Sequence, residues 1–358
     1  MARLELRDPE DAFVRLEDWL RGRGFFVPGG EALVADVFLG YGLSQTIRRA
    51  RTSLPAEPCA ALPLVACRFR HGSDLVAQSH KAFSLGDWER TWTAAAYGGA
   101  VERVREAIAR GDVYQVNLVQ HLSAPFSGDP RALAARLAGL RPRCPEPFLG
   151  DGWAVVSGSP ELFLARRGRR VWTMPIKGTR PAGESAELRE SEKDAAEHVM
   201  IVDLERNDLS RVCQPGSVRW PELRATRELA GVEHMVSTVE GTLRAGVGLA
   251  EILDATFPGG SVTGAPKIAA VDLIAELEPV GRGASMGALG RVFGNGDFEL
   301  ALTIRTFAIA EGTIHFWVGG GVVWDSDPDA EVEESWTKAR PLLDAVGAGV
   351  DTVAGTRG

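Results

Sequence analysis

The sequence predicts an α+β fold, and three observations carry that expectation. Helical patterns and strand patterns are interspersed without the strict alternation of a doubly wound parallel sheet. The strand patterns are short and joined by Gly- and Pro-bearing turns, as in antiparallel pairs. The chain has 358 residues, 45% of them hydrophobic and 25% charged, globular values at a length that buries a large core without disulfides or a structural metal.

The elements follow in order. Residues 1 to about 90 are mixed, rich in Arg, Ala and Pro, with no active-site pattern. From Trp88 to Arg110 the pattern turns helical, with Val101, Val104 and Ile108 on one stripe and Gly111 as C-cap. From Val113 to Leu122 it alternates, Tyr114, Val116 and Leu118 facing one way and Gln115, Asn117 and Val119 the other, a strand with one polar face. Arg131 to Leu140 is a second helix, and Trp153–Val156, Leu162–Ala165 and Val171–Met174 are short strands. Arg166, Arg167, Arg169 and Arg170 around Gly168 form a solvated hairpin tip rather than a phosphate patch. A long helix is expected over Ala186–Leu209 with Ser185 as N-cap, then strands at His234–Val239, Ala288–Phe293, Leu300–Ile309 and Thr313–Val318. Pro266 opens a helix to Glu276, and a last helix runs from Pro328 to about Val346. Three parts are expected: 1–94 as a variable part of the same fold, 95–345 as the catalytic core, and 346–358 as a disordered tail.

Composition narrows the function. The net charge of −8 and pI of about 5.4 argue against nucleic acid as the main partner, since phosphate binding rests on clustered Lys and Arg. Cys59, Cys67, Cys144 and Cys213 are widely spaced and form no metal or redox pair. There is no signal-peptide pattern and no apolar run of membrane-spanning length, so a cytoplasmic location is the expectation.

Several residue groups can carry chemistry. Lys177 stands on a segment bracketed by Pro175 and Pro181; a nucleophilic role there requires a pKa lowered by burial or by cations such as Arg180. Asp194 and Glu197 on one helix, and Glu331 and Glu334 on another, are carboxylate pairs three residues apart, each pair sharing a helix face. Two such faces meeting in space offer oxygen ligands to a hard divalent cation. The run Phe257–Lys267 has the Gly259–Gly264 spacing of a phosphate loop, but Ala265 and Pro266 stand where its Lys must follow, which excludes that reading. Its glycines and helix start can still hold a carboxylate or hydroxyl. Arg305, placed in an apolar strand before the Gly319-Gly320-Gly321 run, either pairs with a structural carboxylate or grips a substrate one. Glu161 can act as a general acid if partly desolvated, and His234 lies in an apolar run.

Taken in order, these blocks resemble the chorismate-utilising enzymes, the family of anthranilate synthase, isochorismate synthase and aminodeoxychorismate synthase. The matching runs are Gly111–Leu118, Ser159-Pro160-Glu161, Pro175–Pro181, Met200–Leu204 with Arg206-Asn207-Asp208, His234–Thr238, Phe257–Lys267, Leu302–Thr306 and Gly319–Asp325, together spanning roughly 95–345. The resemblance implies two packed antiparallel sheets flanked by helices. It implies that Glu197 and Glu334 ligate Mg²⁺ directly, with Asp194 and Glu331 acting through water. It further implies that Arg305, Gly319 and Gly320 hold the enolpyruvyl carboxylate of chorismate, with Lys338 and Thr263 nearby and His234 close to the ring. Anthranilate synthases carry Ala where this chain has Lys177, whereas the aminodeoxychorismate branch carries Lys. The implied reaction is amination of chorismate at C4, Lys177 adding to C2 while Glu161 protonates the departing hydroxyl.

Some positions depart from the family pattern. Arg291 stands where many relatives have Tyr in the substrate pocket, and Leu162 replaces a common Arg. The short region before residue 95 implies no working tryptophan pocket. No glutaminase segment is present, so ammonia is expected from a separate glutamine amidotransferase subunit or from solution. Other chorismate conversions, to anthranilate, isochorismate or salicylate, and a non-catalytic binding relative are the alternative readings.

Overall fold

The structure is a computed structural model that describes residues 3–50, 52–70, 82–181, 192–229, 232–347 and 353–354. Among them two large sheets form, antiparallel throughout except for one two-residue pairing. The first sheet runs in the order β1 (Arg3–Leu6), β3 (Val65–Phe69), β2 (Val34–Leu39), β15 (Ala288–Phe293), β16 (Phe298–Leu302), β9 (Leu162–Arg167), β10 (Arg170–Met174), β13 (Val232–Thr242) and β11 (Ile176–Pro181); β12 (Arg219–Leu229) also pairs with β13. The second runs β19 (Val353–Ala354), β5 (Trp88–Arg90), β6 (Gln115–Gly128), β18 (Thr313–Val322), β17 (Thr306–Ala310), β8 (Trp153–Ser157) and β7 (Phe148–Leu149). Two more short strands, β4 (Phe83–Leu85) and β14 (Gly264–Ala265), add to β6. The α+β expectation and the two packed sheets hold.

Period-two burial explains the architecture. Along β8, Trp153 and Val155 enter the core between the sheets, while Ala154 and Val156 enter a second core with Leu122, Phe307, Phe316, Trp336 and Leu342. Both faces of this strand are covered, which is why it reads as a continuous apolar run. Phe38 of the first sheet lies 6.2 Å from Trp153 of the second, centroid to centroid, so the sheets touch through aromatic side chains. The second core is roofed by the helices Pro130–Leu137 and Pro328–Ala345. In the latter, Asp327 caps the first turn by accepting from the Ala330 N–H at 2.9 Å and Pro328 sits at the first position.

Several expectations need correction. The helix assigned to Trp88–Arg110 begins only at Ala94, capped by Thr93, because Trp88–Arg90 pairs with β6 as a strand. The strand assigned to Leu300–Ile309 is two strands in different sheets, β16 and β17, with Arg305 between them at a φ of 50° rather than inside a strand. Pro266 is the N-cap, and that helix runs Lys267–Leu277. The long helix covers Glu192–Ser210; Ser185 and the expected first turns lie outside the described residues. The arginine-rich hairpin tip is present, β9 and β10 turning at Gly168 with a φ of 58°. Most of the expected tail beyond 346 lies outside the described residues. No helix among the described residues is long and apolar enough to cross a membrane.

One buried ion pair fixes the region that carries the site. Arg282 and Glu278, 1% and 3% exposed, are joined by hydrogen bonds of 2.6 and 2.9 Å. The guanidinium also donates to the carbonyls of Val262 and Asn117 at 2.8 and 2.7 Å, and Glu278 accepts from the Val119 N–H at 3.1 Å. Every polar atom so held would cost several kcal/mol if left unpaired, roughly 3–5 for a broken buried ion pair. This brace locks the Gly-rich segment to β6.

Candidate active site

The site lies where β6, β18, β11 and the Gly-rich segment meet. β18 pairs with β6 through Val322, whereas its pairing with β17 extends only to Phe316, so among the described residues no strand covers the second edge of Gly319–Val322. Carboxylates approach this glycine ribbon from two helices. A Cβ built on Gly321 would stand 2.0 Å from Gln115 Nε2 and 2.7 Å from Glu197 Oε1. One built on Gly320 would stand 3.2 Å from both Glu334 Oε1 and Lys338 Nζ and 3.4 Å from Glu331 Oε2. Glycine is therefore a condition of the site, since any side chain at 321 would displace Gln115 and Glu197.

Lys177 is deep in this region, its side chain 12% exposed, with Nζ 2.9 Å from Glu197 Oε1 and donating to the Ser261 carbonyl at 3.2 Å. Burial by itself pushes its pKa down, but the ion pair with Glu197 and the charges of Glu161 and Glu205 outweigh burial, and the net direction is up. The lowered pKa expected for a nucleophile is thus not the state seen; the nitrogen is an ammonium held by a carboxylate. Arg180, the cation expected to lower it, has its side chain outside the described residues. Glu197 also accepts from Gln115 Nε2 at 2.8 Å, and Lys177 and Gln115 hold its pKa down against the effect of burial.

Glu161 meets the requirement for a general acid. It is 4% exposed, and burial pushes its pKa up against the opposing Ser261 hydrogen bond, the Lys177 charge, the Ile176 N–H and the Arg305 charge. Ser261 Oγ donates to Glu161 Oε1 at 2.7 Å. Arg305, at the left-handed turn between sheets, makes no side-chain hydrogen bond or ion pair with any described residue, and burial pulls its pKa down against the Glu161 charge. A structural pairing for Arg305 is therefore not what the described residues provide. His234 is buried on β13 with Nδ1 3.3 Å from the Gly178 carbonyl; burial, aided by the Arg305 charge, lowers its pKa to about 4, so the ring is neutral at pH 7.

The remaining expected residues fall on the ribbon or beside it. Lys338 Nζ donates to the Gly319 carbonyl at 3.1 Å and pairs with Glu334 at 2.7 Å. Glu331 is buried and accepts from Ser326 Oγ at 2.6 Å. Thr263 is fully buried with its hydroxyl turned into its own loop, donating to the Gly259 carbonyl at 2.9 Å, while its carbonyl accepts from the Asn117 N–H at 2.7 Å. The Asp194 side chain lies outside the described residues. Arg291 pairs with Asp36 and Glu146 instead of with any of these groups.

As a cation site the donor chemistry fits, since Glu197, Glu331 and Glu334 reach the same two glycines and two of them carry ammonium counterions. Among the described residues, however, no three His, Cys, Asp or Glu side chains already form a cage.

Ser261, Gln115 and Gly321 were not among the expected site residues. Gln115 could have been found from the polar face of its strand, and Ser261 from its position in the Gly-rich segment. A third buried group, Glu205, accepts from Thr173 Oγ1 at 3.1 Å and has its pKa pushed well up by burial and by the nearby Glu161 charge.

The model of the chorismate binding enzyme family matches residues 45–344. Anthranilate synthase component 1 of Thermus thermophilus is 43% identical over 268 residues, covering 72% of this chain and 58% of that protein. Aminodeoxychorismate synthase component 1 of Klebsiella aerogenes is 41% identical over 266 residues, covering 72% and 59%. The chain thus spans less than three-fifths of the length of these relatives. Among solved structures, anthranilate synthase component I from Streptococcus pneumoniae superposes with a TM-score of 0.79 at 25% identity, covering 91% of this chain and 84% of that one. A 2,3-dihydroxybenzoate-specific isochorismate synthase from Bacillus anthracis shares the fold, with a TM-score of 0.75 at 22% identity over 97% of this chain and 91% of that one. The matched span takes in the glycine ribbon, the paired helices and the Lys177–Glu161 cluster, and the chain belongs to the chorismate-binding enzyme family.

Proposed function

We propose that this chain aminates chorismate at C4 with ammonia, giving 4-amino-4-deoxychorismate, the precursor of para-aminobenzoate. Relatives of two names are about equally similar, so the choice between their reactions rests on residue 177. The observation that carries the reading is the position of Lys177, inside the site and one residue, Ser261, away from the candidate acid Glu161.

Lys177 first leaves Glu197 and gives its proton to solvent water. Its neutral nitrogen adds to C2, both ring double bonds shift by one position to C6=C1 and C4=C5, and the C4 hydroxyl departs as water with the Glu161 proton. Ammonia then bonds to C4, both double bonds shift back, and the C2–N bond breaks to release the Lys177 amine. The extra proton on the new ammonium returns to Glu161 and the freed Lys177 amine takes a proton back from solvent, which restores both groups. Arg305, with no described partner, grips the enolpyruvyl carboxylate together with the Gly319–Gly320 backbone, and Lys338 and Thr263 border that end. His234 stays neutral beside the ring and carries no charge that would repel an attacking amine. Mg²⁺ held by Glu197 and Glu334, with Asp194 and Glu331 behind them, would neutralise and anchor the ring carboxylate. The relatives are named component 1, which supports a separate glutamine amidotransferase as the ammonia source.

Incubation with chorismate, Mg²⁺ and an ammonium salt, followed by mass identification of the product, tests this. Aminodeoxychorismate supports it. The second reading, formation of anthranilate, is favoured by the Thermus relative and would be revealed by that product. No turnover with or without an amidotransferase would indicate a binding protein.

A further inference from the structure

Ser261 makes contact with both groups that the proposed reaction needs. Its hydroxyl donates to Glu161 Oε1 at 2.7 Å and its carbonyl accepts from Lys177 Nζ at 3.2 Å. We propose that Ser261 is a positioning residue that sets the spacing between the acid and the lysine and fixes which oxygen of Glu161 carries the proton. The inference rests on the C4-amination reading for its assay, but only on Glu161 acting as an acid for its logic.

Two features make the loop a rigid carrier. Gly260, Ser261, Val262 and Thr263 are all buried. The Thr263 hydroxyl closes the loop onto the Gly259 carbonyl at 2.9 Å, Arg282 holds the Val262 carbonyl at 2.8 Å, and the Asn117 N–H holds the Thr263 carbonyl at 2.7 Å. On the other side, a Cβ at Gly260 would stand 2.9 Å from Leu204 Cδ2, so the loop is pressed against the Glu192–Ser210 helix. Such a loop does not re-aim its side chain at little cost.

Hydrogen-bond bookkeeping supplies the rest. A serine hydroxyl has one proton to donate, and burying it without an acceptor is unfavourable. Among the described residues, the Ser261 hydroxyl has Glu161 Oε1 as its acceptor and no other. When Glu161 is neutral, its proton therefore resides on Oε2. The same bond favours the carboxylate form, so it keeps the acid from becoming too weak to release its proton.

The test compares Ser261→Ala and Ser261→Thr with the wild-type chain in the chorismate, Mg²⁺ and ammonium assay. Ser261→Ala is expected to lower kcat about ten-fold at neutral pH, to leave the KM for chorismate within about two-fold, and to move the alkaline limb of the kcat profile up by about one pH unit. Ser261→Thr, which keeps the hydroxyl, is expected to restore the rate and the limb. A purely structural role would not move the limb. Wild-type kcat and an unmoved limb in Ser261→Ala would overturn the proposal. Should Ser261→Ala lack a cooperative thermal transition, Ser261→Cys replaces it, and an unmoved limb there overturns the proposal equally. If the wild type instead forms another product by loss of the C4 hydroxyl, the C4-amination reading falls while the same comparison on that product still decides the role of Ser261. A wild type with no chorismate turnover overturns both.

Discussion

Replacing Lys177 by Ala should do two opposite things, and together they check the arrangement at Glu197. The ion pair is 2.9 Å long and its partners are 12% and 16% exposed. At an effective dielectric of about 20 its gross attraction is roughly 6 kcal/mol, most of it offset by desolvation of the two groups. A net value of about 1.5–3 kcal/mol is reasonable for a hydrogen bond between charged groups. Without Mg²⁺, Lys177→Ala should lose about that much stability, because Glu197 keeps only its Gln115 donor. With Mg²⁺ the sign reverses: the ammonium no longer competes for Glu197, so affinity for the cation should tighten about ten-fold or more. Calorimetric titration of Mg²⁺ into both proteins, with thermal melts at several Mg²⁺ concentrations, measures both effects. In the same variant, amination should fall by at least ~10²-fold. Unchanged or weaker Mg²⁺ binding in Lys177→Ala would refute Glu197 as the shared ligand, and unchanged turnover would remove the covalent step.

Glu161→Gln keeps an acceptor for Ser261 but has no proton to give, so amination should drop about 10²–10⁴-fold while chorismate binding, read by fluorescence titration, persists. Gly321→Ala should be far more damaging than Gly320→Ala, costing about 1–3 kcal/mol in urea unfolding, since its Cβ would meet Gln115 Nε2 at 2.0 Å rather than Glu334 at 3.2 Å. Acid should unfold the protein early. His198, His234 and His315 are held to a pKa of about 4 and His121 to about 3, all by burial, against 6.5 for the free side chain. Their neutral state is present without cost at pH 7. As pH falls from about 6.5 towards 4 the unfolded chain takes up protons that the folded one refuses, each His removing up to about 1.4 kcal/mol per pH unit. Glu161 and Glu205, whose pKa values are raised, act in the opposite direction over the acid range. His315→Gln should flatten the dependence of Tm on pH below 6.5, and an unchanged slope would refute this account.

Legibility varied along the chain for physical reasons. The two carboxylate pairs were visible because helical spacing puts residues three apart on one face. Lys177 was visible because Pro175 and Pro181 bracket it, whereas Glu161 carried no signal of its own and entered through the family resemblance. Arg305 was misplaced because the apolar run continues through it on both sides, and a positive φ at a non-glycine residue leaves no mark in sequence. The strands β1 to β3 escaped notice because they pair with one another out of sequence order and join the rest of the sheet only where β2 meets β15, more than two hundred residues away. β12 escaped because it pairs only with β13 and leaves Trp220 and Leu223 exposed, a pattern that is not amphipathic. Ser261 carries no periodic signal at all; its role follows from where the loop is pinned.

That pinning has a consequence for how a substrate gets in. Arg282 holds the Val262 and Asn117 carbonyls at once, so the acid-bearing loop and the floor beneath the glycine ribbon are a single rigid wall. A wall of this kind cannot serve as a door. The opposite bank is looser: Glu334 and Lys338, 47% and 45% exposed on the last long helix, are joined to each other across open surface. A ligand that parts that surface pair and leaves the wall untouched could enter and depart without disturbing the spacing on which its turnover depends.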